Sequence, residues 1–303
     1  MTIGRRRFLQ GLGVAGAAAA AGTLPALAAA QDAGARAEHV IFELPGLDPA
    51  HDGLRVAQLS DIHVGPLTSP ELVRGAIAEA NAFAPDLVVL TGDFVSRSPS
   101  DLEDLRALLG GLSSPTVAVL GNHDVVVDPR GTAQVLRAHG YAVLENAWTR
   151  LRLRGVPFTV VGVGDHHTGR ADVPAAFRGL PAGTSPLVLA HGPKTADRLR
   201  ALERPLVCLS GHTHGGQINL PVVTPLLLAS LREPYARGPY RVGDVRLYVN
   251  RGIGTTALGF RIHSPPEVTL ATLVPGPPSP RGAGLGRGLR RPDGDAAEAE
   301  TGG

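Results

Sequence analysis

Cysteine is nearly absent from this chain of 303 residues, in which Cys208 is the single thiol. One cysteine cannot form a disulfide within the chain, and it cannot supply the several thiolates of a typical structural zinc site. Cys208 lies inside the apolar run of residues 206–209. We therefore expect it to be a buried core residue rather than a reactive thiol.

Lysine is equally scarce, because Lys194 is the only one and arginine supplies the rest of the positive charge. The formal net charge is +2, and aromatic residues make up 4% of the chain. No stretch interleaves basic with aromatic residues, as surfaces that bind single-stranded nucleic acid commonly do. We therefore expect no nucleic-acid partner.

Residues 1–30 have the composition of an export signal, with consecutive arginines before a stretch rich in Ala and Gly. Arg5 and Arg6 resemble the paired arginines of a twin-arginine signal, and residues 28–30 offer an A-x-A cleavage site. We expect the twin-arginine translocase to export the folded protein to the periplasm, the cell wall or the outer face of the cytoplasmic membrane. An uncleaved membrane anchor is the alternative, although the stretch is only weakly hydrophobic.

The other end of the chain, residues 275–303, is rich in Pro, Gly and Arg and then in Asp, Ala and Glu. Such a composition cannot bury an apolar face, so we expect this tail to be disordered. Residues 40–274 remain as a single folded domain.

Short apolar runs alternate with helix-like segments along this domain, which predicts an α/β layered fold. Ser69 is a predicted helix N-cap, followed by Pro70 at the first helical position. Further helices are predicted over residues 101–109 and 130–139. The predicted strands cover residues 54–59, 86–90, 116–120, 158–163, 187–190, 206–209, 245–249 and 268–273.

Most of the predicted strands up to residue 209 end directly in a polar cluster. In open α/β sheets, ligands bind beyond the carboxyl ends of the strands, so these clusters should converge in space. Each cluster alone is a weak signal. The occurrence of all five at successive strand ends, however, is hard to explain by structural roles alone. The clusters are Asp61-Ile62-His63, Gly92-Asp93, Gly121-Asn122-His123-Asp124, His191-Gly192 and Gly211-His212-Thr213-His214.

Carboxylate, imidazole and amide oxygen are ligands that suit Mn²⁺, Fe or Zn²⁺. One carboxylate, such as that of Asp93, can bridge two cations. Two cations about 3.5–4 Å apart can clamp a phosphoryl group and generate a hydroxide nucleophile at neutral pH. The clusters therefore predict two divalent metal ions, whose identity the residue types leave open.

The five clusters resemble, in order, the motifs of the calcineurin-like metallophosphoesterase superfamily: D-x-H, G-D, G-N-H-D, an isolated H and G-H-x-H. The resemblance implies a four-layer α-β-β-α sandwich of two mixed sheets. It implies one metal held by Asp61, His63, Asp93 and His214, and a second held by Asp93, Asn122, His191 and His212. It also implies that His123 lies near the leaving-group oxygen as the catalytic acid, and that Asp124 orients His123.

The C-terminal third resembles a bacterial subfamily of exported or membrane-associated phosphodiesterases. Some of its members hydrolyse UDP-2,3-diacylglucosamine. Residues 211–221 and 250–256 carry this second resemblance, which is less diagnostic than the metal motifs. The serine/threonine protein phosphatases carry G-D-x-V-D-R-G, whereas this chain has Gly-Asp-Phe-Val-Ser-Arg-Ser.

Two features bear on the substrate. The apolar residues 220–231 follow the last motif directly and form either a lip for an acyl chain or membrane surface, or a segment packed on the core. Arg251 and Arg261 are candidates to hold a second phosphate, and His166 and His167 are candidates to line the cleft. Either arginine could equally be a surface residue, and a solvated loop is the favoured alternative for the two histidines.

The sequence thus predicts a phosphoesterase in which a hydroxide bridging two metals attacks a phosphodiester or pyrophosphate, with a lipid-linked or envelope substrate as one class. A phosphomonoesterase and a cyclic-nucleotide phosphodiesterase remain as alternatives. A non-catalytic envelope protein that keeps the metal site for binding alone is the alternative outside the enzymes.

Overall fold

A computed structural model of the chain describes residues 34–220, 223–230 and 233–277. The expected export signal over residues 1–30, and residues 278–303 of the expected tail, lie outside the described residues. Pro275 and Gly276, expected in the tail, belong instead to the last strand, and the first strand begins at Arg36 rather than after residue 40. Within those ranges, no helix is both long and apolar enough to cross a membrane.

The first sheet has six strands in the described part of the chain. Their order is β1 (Arg36–Pro45), β12 (Glu267–Gly276), β2 (Leu54–Leu59), β3 (Leu87–Leu90), β4 (Thr116–Val119) and β5 (Ala142–Leu144). Strands β2 to β5 are parallel, β12 runs antiparallel to β2, and β1 is parallel to β12.

The second sheet is also mixed and six-stranded over the described residues. The order of its strands is β10 (Gly238–Val242), β11 (Val245–Val249), β9 (Leu206–Ser210), β8 (Leu187–Ala190), β7 (Val156–Val163) and β6 (Ala147–Leu153). The four inner strands are parallel, and β10 and β6 are antiparallel strands at the two edges.

Helices fill the connections between the parallel strands. Ser69 caps the first of them as predicted, because its side chain accepts a hydrogen bond from the backbone NH of Leu72. The helices are α1 (Pro70–Ala82), α2 (Asp101–Leu108), α3 (Asn122–Val127), α4 (Pro129–Ala138), α5 (Val173–Ala176), α6 (Thr195–Leu199) and α7 (Val223–Ser230).

Buried side chains form three apolar clusters that define four layers. Leu87 and Val89 of β3 face the second sheet, while Val88 and Leu90 face the helical side with α1, α2 and α4. This alternation has the period of two that a strand imposes. A third cluster joins the outer face of the second sheet to α5 and α6, and Cys208 is buried within it. The predicted α-β-β-α sandwich of two mixed sheets is therefore confirmed.

Candidate metal centre

The carboxyl ends of β2, β3 and β4 in one sheet and of β8 and β9 in the other meet along one edge of the sandwich. The five sequence motifs occupy the loops at these ends. The side chains that the motifs supply are brought together in two adjoining groups, and the carboxylate of Asp93, which belongs to the second group, also approaches His63 of the first.

The first cluster consists of Asp61, His63 and His214, all of which are buried. The Nε2 atoms of His63 and His214 lie 3.1 Å apart, and the Nε2 of His214 lies 3.4 Å from the Oδ1 of Asp61. The Asp61 carboxylate also accepts hydrogen bonds from the hydroxyl of Ser60 and from the backbone NH of His212. The first cluster is therefore fixed by contacts deep in the loops.

The second cluster consists of Asp93, Asn122, His191 and His212. The Oδ1 of Asn122 lies 3.0 Å from the Nε2 of His191 and 2.8 Å from the Nδ1 of His212, and these two ring nitrogens are 3.2 Å apart. His212 is only half-buried, whereas the other three are buried. Four potential ligand atoms thus face one small volume.

Asp93 lies between the two clusters. Its Oδ2 is 3.5 Å from the Nε2 of His63 and 3.2 Å from the Nε2 of His191. Its Oδ1 accepts a hydrogen bond from the backbone NH of His123 at 2.8 Å. This position is the one a bridging carboxylate would occupy.

The tautomer of His191 follows from its environment. Its Nδ1 lies 2.7 Å from the backbone carbonyl of Thr91, and a carbonyl can only accept a hydrogen bond. The proton of a neutral His191 ring therefore belongs on Nδ1, which leaves the lone pair of Nε2 directed into the second cluster. Metal-binding histidines are commonly oriented through their other nitrogen in this way.

The electrostatics of the site favour a cation. Burial alone would raise the pKa of Asp93, but the neighbouring His191, His123 and His63 hold the pKa of that carboxyl well below its usual range. Burial lowers the pKa of His63 and of His212 well below the usual value, which keeps their nitrogen lone pairs available. Burial also opposes the charged form of His191, but the carboxylates of Asp93, Asp61 and Asp165 raise the pKa of that ring well above its usual value. Anionic carboxylates that attract a positive charge, beside the neutral imidazoles of His63 and His212, form a donor set that a divalent cation would satisfy.

The backbone at these residues is unusual. Five of the residues in the two clusters have positive φ, a region that L-residues other than Asn, Asp and His rarely adopt and that clusters at functional sites. They are Asp61 (49°), His63 (48°), Asp93 (56°), His212 (76°) and His214 (52°). Glycines allow the loops to approach so closely, because a Cβ at Gly211 would collide with the side chains of Ser60 and Asp61.

His123 and Asp124 have different surroundings. The half-buried ring of His123 lies against the ring of His63, with centroids 4.7 Å apart, and its Nδ1 is 2.7 Å from the carbonyl of Ser96. The buried carboxylate of Asp124 accepts backbone NH groups from Asp93, Phe94, Val95 and Gly121. These bonds tie two motif loops together. The prediction that the Asp124 carboxylate orients His123 differs from this geometry, because both oxygens of Asp124 accept backbone NH groups and the carbonyl of Ser96 faces the Nδ1 of His123.

The two arginines predicted to hold phosphate are engaged with the protein itself. The guanidinium of Arg251 forms ion pairs with Glu267 at 2.8 Å and Glu38 at 2.6 Å. Arg261 is buried, donates to the backbone carbonyls of Gly254, Arg251 and Ser264, and has an Nη 3.2 Å from the Nδ1 of His214. The Nε and Nη2 of Arg251 and all three nitrogens of the Arg261 guanidinium thus contact the protein itself, which argues against Arg261 in particular as a phosphate-binding residue.

The loop after β7 reaches the second cluster through His167 rather than through His166. The ring of His167 stacks on the ring of His212, whereas the half-buried His166 contacts the edge of His167. Asp165 and Glu233, which flank His167 in space, were not predicted. Glu233 carries no sequence signal, whereas Asp165 follows a predicted strand closely enough to have been considered.

The apolar segment over residues 220–231 contains α7, and residues 221, 222 and 231 lie outside the described residues. Leu226 is 66% exposed and Leu220 is 36% exposed, whereas Thr224 is buried. Val126, three residues after His123, is 66% exposed. Exposed aliphatic side chains thus occur near two of the motif loops.

Comparison with known families gives a match to the calcineurin-like phosphoesterases over residues 54–216. The matched range begins with β2 and ends just after His214, so it contains every residue of the two clusters.

Several characterised or named bacterial proteins are similar over most of their length. An uncharacterized metallophosphoesterase of Bacillus subtilis, YkuE, is 33% identical over 73% of this chain and 79% of its own. The phosphodiesterase YaeI of Escherichia coli is 33% identical over 73% of this chain and 82% of its own. The UDP-2,3-diacylglucosamine pyrophosphatase LpxG of Chlamydia trachomatis is 28% identical over 72% of this chain and 83% of its own.

Proposed function

The chain belongs to the calcineurin-like metallophosphoesterase family and is a metal-dependent phosphoester hydrolase. We propose that it cleaves a phosphodiester or pyrophosphate with two metal ions. One observation carries the proposal. The carboxylate of Asp93 lies between two groups of ligand atoms, within 3.5 Å of a ring nitrogen on each side.

The residues present fit two divalent ions. Asp61, His63 and His214 would hold one ion, Asn122, His191 and His212 would hold the other, and Asp93 would serve both. Two such ions supply positive charge to the phosphoryl oxygens and a hydroxide nucleophile at neutral pH. The nitrogen and oxygen ligands suit Mn²⁺, Fe or Zn²⁺.

His123 is the proposed proton donor to the leaving oxygen. Its Nδ1 lies against the carbonyl of Ser96, so the proton on Nδ1 is held and Nε2 is the position that exchanges. The ring is half-buried beside His63, at the border between the site and solvent. A general acid in that position lowers the barrier most when the leaving group is a poor one.

We propose a substrate with an apolar part, such as a lipid-linked diester or pyrophosphate of the cell envelope. Two relatives are named for the cleavage of a phosphodiester and of UDP-2,3-diacylglucosamine. The exposed side chains of Leu220, Leu226 and Val126 support an amphiphilic partner, because they lie close in sequence to the motif loops.

A substrate panel on protein reconstituted with Mn²⁺ tests this function. We expect bis-p-nitrophenyl phosphate to be cleaved much faster than p-nitrophenyl phosphate, and UDP-2,3-diacylglucosamine faster than a cyclic nucleotide. The reverse order in the first pair would indicate a phosphomonoesterase. The reverse order in the second pair would indicate a nucleotide phosphodiesterase. No hydrolysis of any diester would leave a binding protein.

We also propose export through the twin-arginine translocase, on the strength of Arg5 and Arg6. Replacing both arginines by lysine should retain the protein in the cytoplasm in folded, metal-binding form. The native sequence should appear in the envelope or culture fraction. Equal export of both forms would contradict the proposed route.

A further inference from the structure

The ring of His167 lies flat against the ring of His212. The two centroids are 3.7 Å apart and the planes differ by 25°. Space for this stack exists beside Gly192, where an added Cβ would come within 3.0 Å of the His167 ring. His212 is the least buried residue of the second cluster. The ring of His167 therefore covers the one side chain of that cluster that the core does not bury fully.

Two carboxylates hold the His167 ring in place. Its Nε2 lies 3.0 Å from an oxygen of Glu233, and its Nδ1 lies 3.6 Å from the Oδ1 of Asp165. Asp165 is 1% exposed, and its Oδ1 has no partner within hydrogen-bond distance among the described residues. A buried carboxylate is costly unless it is paired, and the His167 ring is a group that faces this oxygen.

The same atoms could in principle bind a third cation, because ligand atoms of His167, His212 and Glu233 lie within reach of one another. The orientation of His212 argues against this. A neutral imidazole has one nitrogen lone pair, and the Nδ1 of His212 is directed at Asn122 and His191, so that lone pair belongs to the second cluster.

We propose that His167 is a positioning residue, which clamps the ring of His212 so that its Nδ1 stays directed into the second cluster. The clamp sets the affinity of that cluster for its ion and acts through His212 without touching the substrate. This inference rests on the proposed two-metal function. It names Asp165 and Glu233 as the groups that hold the clamp.

The test is a Mn²⁺ titration of metal-free protein, followed by calorimetry and by electron paramagnetic resonance. We expect two ions per chain in the native protein. His167→Ala should weaken one of the two binding steps by about tenfold or more, the usual effect of losing a group that orients a metal ligand. His167→Phe keeps a ring against His212 but loses both carboxylate contacts, so its affinity should lie between those of the native protein and His167→Ala.

His39→Ala is the matched control, because His39 is also an exposed histidine against an aromatic ring, that of Phe83, but belongs to β1. It should leave both binding steps unchanged. Asp165→Asn keeps the His167 ring but removes the charge that faces its Nδ1, so its loss of metal affinity should be smaller than that of His167→Ala. This variant provides the test if His167→Ala does not fold.

Unchanged affinities in both His167→Ala and Asp165→Asn would overturn the clamp while leaving the two-metal site intact. Three ions in the native protein and two in His167→Ala would make His167 a ligand instead. Fewer than two ions in the native protein would refute the proposed function itself, so the two failures are distinguishable.

Discussion

The two clusters differ in what holds them. In the first, Asp61, His63 and His214 are all buried, and the buried guanidinium of Arg261 lies behind His214. In the second, His212 is half-exposed and is covered by His167 from a surface loop. The first cluster is therefore part of the buried core, whereas the second is completed by a residue at the surface. We therefore expect two ions of unequal affinity and exchange rate.

Asp93→Ala should have the largest effect, because it removes the one carboxylate common to both clusters. We expect the binding of both ions to be lost or greatly weakened and turnover to fall by about 10²–10³-fold or more, the scale for removing one electrostatic group from an active site. Metal analysis and diester hydrolysis measure this. Asp104→Ala, at an exposed acidic residue of α2, is the control and should behave as the native protein. A variant that kept one ion and high turnover would mean that Asp93 serves only one cluster.

His123→Ala should separate chemistry from metal binding. We expect both ions to be retained, with a loss of about 10²–10⁴-fold in turnover on a substrate with an alkyl leaving group. The loss should be much smaller with a p-nitrophenolate leaving group, which needs no proton. Steady-state rates on the two substrates give the comparison. Equal losses on both would show that His123 does not act as the acid.

Arg261→Met should weaken the brace behind the first cluster. Its loss leaves the carbonyls of Gly254, Arg251 and Ser264 without their donor, and each unsatisfied buried group costs about 1–3 kcal/mol. Urea denaturation should show this loss of stability, with little change in KM at saturating metal. A large rise in KM with unchanged stability would instead restore Arg261 as a phosphate-binding residue.

Arg154→Ala should have the smallest effect, because the Arg154–Asp86 ion pair lies outside both clusters. Burial opposes ionisation of Asp86, but hydrogen bonds from Arg154 and Arg55 lower its pKa below the usual 3.8. A lowered pKa in the folded state means that the stabilisation is present above pH 3.8 and is lost as the pH falls through the folded value.

The pair is partly exposed to solvent, so its pH-dependent part should be below about 1 kcal/mol. The melting-temperature difference between the native protein and Arg154→Ala should therefore narrow below pH 4. Metal content and turnover should not change. A loss of bound metal in this variant would show that the two clusters are coupled to the remote sheet edge.

The sequence predicted the inner strands of both sheets and missed the edges. Every predicted strand is present, whereas the four that were missed, β1, β5, β6 and β10, are the edge strands of the two sheets. Inner parallel strands are buried on both faces and read as continuous apolar runs. Edge strands such as β10, Gly-Pro-Tyr-Arg-Val, mix polar and apolar residues and leave no such run.

The same holds for the candidate site. Motif residues next to apolar runs could be predicted, because the carboxyl ends of parallel strands meet at one edge. The residues that support the motif side chains could not be predicted. Local sequence is compatible with a surface position for Arg261, but the structure buries it against the carbonyl groups of Gly254, Arg251 and Ser264. Glu233 approaches His167 from a position 66 residues further along the chain. Such contacts depend on how irregular loops pack, which local sequence patterns do not encode.

If two metal ions act together in catalysis, diester hydrolysis must depend on the occupancy of both sites. Metal-free protein is titrated with Mn²⁺ while bound metal and the cleavage of bis-p-nitrophenyl phosphate are measured on the same samples. We expect little activity at one ion per chain and a steep rise as the second ion binds. Full activity at one ion per chain, or none at two, would rule out joint action of the two ions.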